Sequence, residues 1–343
     1  MNRKTSRGNQ SSVAVIGAGG TIAAVAANQA DFQTYRAGAL KTAELLDALR
    51  TELDEIAHTE PVDFTGEGGG CRTLRDYHAM SALVDAHLAD DEVDGAVVLC
   101  GTRSLEELAY WLDLTVRSAK PVIVTGSFRP WNALGSDGPA NLHNAVAVAA
   151  SGRTTGFGTV VVLNDRVLSA RDASKSDTLR LDGFRGREWG ALGVVDERNV
   201  RLLRAPARVL RHGSPQWNTP FDLSLADPDR LPRVEIAYSY ADAGGEAVTA
   251  FAQAGVVGVV MAGDPSDRQA GALRAAIGAG VVVVAANRNV SGAVYDPGVP
   301  GIIGAEDLLP QKARLLLTLG LSVTDDLDRL RTWFGEHGVP EFG

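Results

Sequence analysis

Two threonines and a lysine stand where chemistry can be done. Thr21 follows a short apolar run, 13–16, through the turn Gly17-Ala18-Gly19-Gly20 in "SSVAVIGAGGTIAAVAA". Thr102 follows another apolar run in "VVLCGTRSLEELAYWLDL", and Lys175 lies in "NDRVLSARDASKSDT". A threonine hydroxyl is a poor nucleophile at its free pKa and needs a base or proton relay beside it. A lysine among hydroxyls can be that base if burial or a neighbouring cation lowers its pKa. The three residues therefore suit acyl transfer. The glycines of 17–20 admit a second chemistry, because strand–turn–helix junctions of this kind also hold dinucleotide phosphates. Taken alone, Thr21 has a plainer role as a helix-start residue bonding within its own turn.

The elements that must carry these residues alternate. Apolar β-branched runs at 13–16, 95–99, 121–125 and 159–163 read as strands. Between them 104–119 and 138–151 place apolar residues at helical spacing. Strand–helix–strand alternation implies parallel pairing with right-handed crossovers as the default. The rhythm fails in the proline-rich stretch after 204 and restarts at "VEIAYSY", "VVGVVMAG" and "GVVVVAANR", with helices near 242–254 and 266–279. The expected organisation is a flexible tail (1–11), a large N-terminal domain (12–205), a linker (206–232) and a small C-terminal α/β domain (233–343). Ligands of parallel sheets bind beyond the strands' carboxyl ends, which is where Thr21 and Thr102 fall.

Several alternatives fall away. A dinucleotide site needs a second strand ending in an acid about 20 residues after the glycines. Asp31 is there, but alanines, Asn28 and Gln29 precede it rather than an apolar strand. A formal net charge of -9, with no long basic run, argues against nucleic acid and against anionic membranes. Cys71 and Cys100 are the only cysteines and the six histidines have no ligand spacing, which disfavours a disulfide framework or a zinc site. Cys100 reads as a small packed residue. The polar start "MNRKTSRGNQSS" and the short, glycine-cut run after it form neither a signal peptide nor a membrane span, so a cytoplasmic protein is expected.

The motifs, taken in order, resemble those of the bacterial-type L-asparaginase and glutaminase family. "GAGGTIA" is similar to that family's opening, and "CGTRSLEELAYWLDL" to its second signature. "KPVIVTGSFRPWNALGSDGPANLHNAVAVA" (120–148) is similar to its core segment, "NDRVLSARDASKSDTLRLDGF" to its lysine segment, and "LLPQKARLLLTLGL" (308–321) to its closing helix. The resemblance spans roughly 12–335. It implies a two-domain α/β fold, with a large N-terminal mixed-sheet domain and a smaller C-terminal parallel-sheet domain. It also implies a homodimer or homotetramer, a small-molecule amide substrate, and no metal or organic cofactor. Thr21 would be the primary nucleophile at a helix start, Tyr35 its relay from a mobile segment, and Thr102 with Lys175 a second relay. Gly69, Gly70, Gly101, Arg103 and Ser127 would be substrate-binding positions, with backbone near Thr102 and Ser127 holding the amide oxygen. Arg129, Asp137 and the Ser127 side chain would build the turn beneath.

This chain leaves the family pattern at the recognition end. Arg103 stands where the family carries an aspartate that binds the substrate's α-ammonium and joins the Thr–Lys relay. Arginine accepts no hydrogen bond, repels an ammonium and suits a carboxylate. Gly69, Gly70 and Cys71 replace a hydroxyl-bearing and polar stretch, and "AGDPSDR" (262–268) replaces a glycine- and asparagine-rich loop. The expectation is an amide-cleaving or acyl-transfer enzyme redirected from free asparagine to a compound without a free ammonium. Two alternatives stand beside it. One is a non-catalytic homologue that binds a small ligand or partner. The other is an ordinary L-asparaginase that recruits Glu67, Glu106 or Glu107 as its acid.

Overall fold

The computed structural model describes residues 10–66, 70–339 and 341–342. The expected tail, apart from residues 10 and 11, therefore lies outside the described residues, as do Glu67 and Gly69. The chain divides into two compact units, one ending at Trp217 and the other beginning at Asn218.

The first unit is built on one eight-stranded sheet. Its parallel strands are β1 (Ser11–Gly17), β2 (Ala57–Asp63), β3 (Gly95–Leu99), β4 (Val122–Thr125) and β5 (Thr159–Leu163). β3, β4 and β5 are buried along their whole length, as the unbroken valine-rich runs require when helices cover both faces of a sheet. β2 lies at the sheet's edge, alternates buried and exposed positions, and tolerates Pro61 for that reason.

From β5 the sheet changes direction. Asn164 and Asp165 both take left-handed φ, 49° and 59°, as a two-residue hairpin turn requires. They send the chain back antiparallel as β6 (Arg166–Ser169). A small antiparallel pair follows, β7 (Ser174–Lys175) with β8 (Phe184–Arg185). β9 (Gly193–Asp196) and β10 (Asn199–Leu202) then complete the antiparallel side, giving the order β10-β9-β6-β5-β4-β3-β1-β2. The parallel default therefore holds for five strands, and the sheet as a whole is mixed.

Two features of this sheet position the site. β1 lies between β2 and β3, so the connections leaving β1 and β3 run to opposite sides and open a crevice at their carboxyl ends. In register, Gly17 is level with Leu99, and Leu99 with Thr125, so the loops after β1, β3 and β4 share one rim.

The helix Leu105–Thr115 anchors the middle loop, burying Leu105, Leu108, Tyr110, Trp111 and Leu112. The Trp111 indole donates to Ser81 Oγ at 3.1 Å and stands edge-on to Tyr77, whose hydroxyl reaches the Ser104 carbonyl at 3.5 Å. The helix Gly138–Ala150 packs Leu142, Ala145 and Val146 into the core shared with β1, β3 and β4.

The second unit has four parallel strands in sequence order: β11 (Val234–Tyr238), β12 (Gly258–Ala262), β13 (Val282–Ala286) and β14 (Ile302–Gly304). Helices Glu246–Gln253 and Asp267–Gly278 cover them, the second begun by a Ser266–Gln269 capping box. The helix Pro310–Val323 packs its buried leucines against the same sheet. No described helix is long and apolar enough to cross a membrane.

Candidate active site

The loop after β1 and the loop after β3 touch backbone to backbone. A Cβ placed on Gly20 would lie 2.4 Å from the Gly101 nitrogen and 2.9 Å from the Cys100 carbonyl carbon. Gly20 also holds a φ of 89°, which L side chains rarely adopt. The glycines thus bring Thr21 and Thr102 to the crevice from adjacent strands, on loops that no side chain separates.

Thr21 does not open a helix, as its sequence suggests. It begins a single 3₁₀ turn, Thr21–Ala23, after which Ala24 is extended. The backbone groups that a helix would pair internally are taken by other segments. Val25 bridges Arg36, the Ala24 carbonyl accepts from Trp131 N–H, and Ala26 N–H donates to Asn132 Oδ1. The bridge carries the chain back past the crevice and sets Tyr35 over it. Thr21 Oγ1 and the Tyr35 hydroxyl share a hydrogen bond of 2.8 Å, with Thr21 itself buried.

The second hydroxyl is paired across the sheet. Lys175 Nζ donates to Thr102 Oγ1 at 2.7 Å and sits 5.0 Å from the centroid of the Phe128 ring. Phe128 is fixed by an edge contact with Phe184 on β8, the strand that pairs β7 and sets the direction of Lys175. Sequence reasoning missed Phe128. The one available signal was an aromatic residue inside the loop after β4. The Lys175 pKa is lowered, first by burial and then by the positive charge of Arg103, against the opposing charges of Glu106 and Asp177.

The turn after β4 is structural in its side chains. Ser127 is fully buried and donates to the Arg129 carbonyl at 2.7 Å. The Asp137 carboxylate accepts from the N–H groups of Phe128 and Arg129 and from the Asn141 amide. Burial pushes its pKa up, while those bonds pull it back. Cys100 is packed at 1% exposure with its thiol pushed up to about 12, and burial likewise raises Cys71.

At the recognition end, Gly70 is described and Gly69 is not. A Cβ on Gly70 would meet only ordinary contacts, Arg72 Nε at 3.6 Å and the Ala18 carbonyl at 3.7 Å. Ser104 Oγ donates to the Cys71 carbonyl at 3.2 Å, tying this loop to the one that carries Thr102 and Arg103. Arg103 itself is exposed on the turn between Thr102 and the helix. Arg72 is the other residue here that sequence reasoning did not single out.

Thr21 with Tyr35 and Thr102 with Lys175, a lysine of lowered pKa, define an α/β protein with a polar cluster at its sheet's switch point. Comparison with known proteins gives the family. Residues 12–208 match "Asparaginase, N-terminal" and residues 233–334 match "Glutaminase/Asparaginase C-terminal domain". L-asparaginase 2 of Bacillus subtilis is 34% identical over 95% of this chain and 86% of that protein. The glutaminase-asparaginase of Pseudomonas fluorescens is 35% identical over 95% of this chain and 90% of its own. Among solved structures, the probable cytoplasmic L-asparaginase of Campylobacter jejuni superposes with a TM-score of 0.85 at 32% identity, covering 95% of this chain and 99% of that one. The chain belongs to the asparaginase family, hydrolases that act on the C–N bonds of amides.

Proposed function

We propose that the protein hydrolyses a side-chain amide through Thr21, and that its recognition end has moved away from free asparagine. The observation that carries this reading is the pairing of Thr21 with Tyr35 and of Thr102 with Lys175 on loops joined at Gly20 and Gly101. Thr21 Oγ1 attacks the amide carbonyl while its proton passes to the Tyr35 hydroxyl, which gives its own proton to the departing nitrogen, and N–H groups around Gly101 and Thr102 receive the oxyanion. The C–N bond breaks and ammonia leaves with a proton, giving a threonyl ester. Water then attacks the ester, the Thr102–Lys175 pair takes its proton, and that proton returns to Thr21 Oγ1 as the acid is released. Lowered basicity of Lys175 supports that role, because more of the amine is neutral near working pH.

Altered recognition is supported by Arg103, which places a cation where the resembling motifs have an acid, and by Gly70, which places no side chain where they have an acidic or amide residue. Thr21→Ala, assayed by ammonia release over a panel of amides, tests the nucleophile. A loss on the order of 10⁴-fold is expected, and retention of wild-type turnover overturns the assignment. A protein that only binds its ligand would have no hydrolysis to lose.

A second reading has one observation in its favour. The charge of Glu106 acts on Lys175, so Glu106 could supply the carboxylate that Arg103 displaces, leaving an ordinary L-asparaginase. The names of the relatives support that substrate. Efficient asparagine turnover abolished by Glu106→Gln would favour it. The likeness to the Campylobacter jejuni protein supports a cytoplasmic location. We assign a homodimer or homotetramer from the family resemblance, to be checked by light scattering.

A further inference from the structure

We infer that the substrate of this site is an anionic amide without a free ammonium, a dicarboxylic acid monoamide whose α-nitrogen is absent or acylated, and that Arg72 and Arg103 together hold its carboxylate. This rests on the hydrolytic reading above and adds the class of substrate. Arg72 and Arg103 lie on two different loops that Ser104 Oγ joins directly through the Cys71 carbonyl. Both side chains are exposed at the rim where Thr21 and Thr102 sit. The Arg72 guanidinium nitrogen Nε passes 3.6 Å from the position of a Gly70 Cβ, with the Ala18 carbonyl of the Thr21 loop 3.7 Å away on that same atom. One arginine therefore overlies the gap left by Gly70, and the other flanks Thr102.

The charges agree with this geometry. The Arg103 charge reaches Lys175, so an ammonium brought beside Thr102 would meet like charge from both. Glu106 and Asp177 act on Lys175 in the opposite sense, and burial is the largest cause of its lowered pKa. A carboxylate gains instead, since a guanidinium fork offers it paired donors. Hydrolysis balances simply. The amide C–N bond breaks, water supplies the hydroxyl that becomes a second carboxylate, and the nitrogen leaves as ammonia.

The test measures ammonia release by the full-length protein from succinamate, N-acetyl-L-asparagine and L-asparagine, at two ionic strengths. The expected result is a kcat/KM for both anionic amides at least about tenfold above that for asparagine, weakening with salt. Arg72→Gln and Arg103→Gln should each raise KM for the anions and bring that ratio towards one. Asparagine as the preferred substrate, or a ratio unmoved by both variants, overturns the inference while leaving amide hydrolysis standing. If no amide is cleaved, the hydrolytic reading falls, and calorimetry with succinamate decides the anion site. Binding lost in Arg72→Gln or Arg103→Gln supports it, and absent or unchanged binding overturns it.

Discussion

Gly20 rests on the backbone of Gly101, and this contact joins the two hydroxyl pairs of the site. A methyl group at residue 20 would fall 2.4 Å from the Gly101 nitrogen, where nothing can yield except backbone, and the residue would hold φ at 89°. Gly20→Ala should cost about 1–3 kcal/mol of stability from strain alone. It should also reduce kcat out of proportion, because the loops must part. Denaturant unfolding read together with turnover checks this. Full activity in a folded Gly20→Ala protein would mean that the close approach is not required.

Lys175 and Thr102 act as one unit if the 2.7 Å bond between them is the proton path. Lys175→Met and Thr102→Val should then each lower kcat by about 10²–10⁴-fold. The double variant should be little worse than either single one, as residues of one relay are non-additive. A steady-state double-mutant cycle measures this, and additive losses would separate their roles.

Much of the candidate site was legible in the sequence, because its threonines follow apolar runs that end at one rim. Thr21 and Thr102 fall on loops that strand endings alone could locate, and the parallel pairing of β3, β4 and β5 agrees with their uninterrupted burial. The rest depended on long-range partners. Residues 22–27 carry a helix-compatible run of small apolar residues. Their backbone groups nevertheless bond to Arg36, Trp131 and Asn132, which no local pattern announces. β2 was hidden because an edge strand with a proline and alternating exposure carries little apolar signal. The antiparallel turn was announced by Asn164-Asp165 between two apolar runs, a signal that the expectation of parallel strands overrode. Arg72 gave no local sign, since its relation to Gly70 and Arg103 exists only once two loops are tied by Ser104.

The pH dependence of activity follows from the environment of Lys175. Its pKa lies below that of an ordinary lysine through burial and the Arg103 charge, so the neutral amine becomes available at lower pH. Activity should rise with pH through an acid limb set by this group. Removing the Arg103 charge in Arg103→Gln removes one cause of the depression, and the limb should move to higher pH. Glu106→Gln removes an opposing charge and should move it to lower pH. Profiles of kcat/KM against pH report the free enzyme, and shifts of like sign in both variants would exclude Lys175 as the titrating base.

Asparagine turnover should be recoverable by restoring an acid at residue 103 and a hydroxyl beside residue 69. Arg103→Asp replaces a cation beside Lys175 with a group that can accept a hydrogen bond from an ammonium. Gly70→Ser adds a hydroxyl where a Cβ meets contacts no closer than 3.6 Å, so the change is sterically admissible. Arg103→Asp alone should raise kcat/KM for asparagine by about tenfold, the scale of one well-placed charge contact. The pair should raise it further and depress turnover of succinamate in parallel. Because the new carboxylate also raises the Lys175 pKa, the gain should be larger at alkaline pH than at neutral pH. A pair of variants that loses succinamate without gaining asparagine would show that the loop 262–268, the third place where the sequence departs from its family, controls recognition more strongly than either residue.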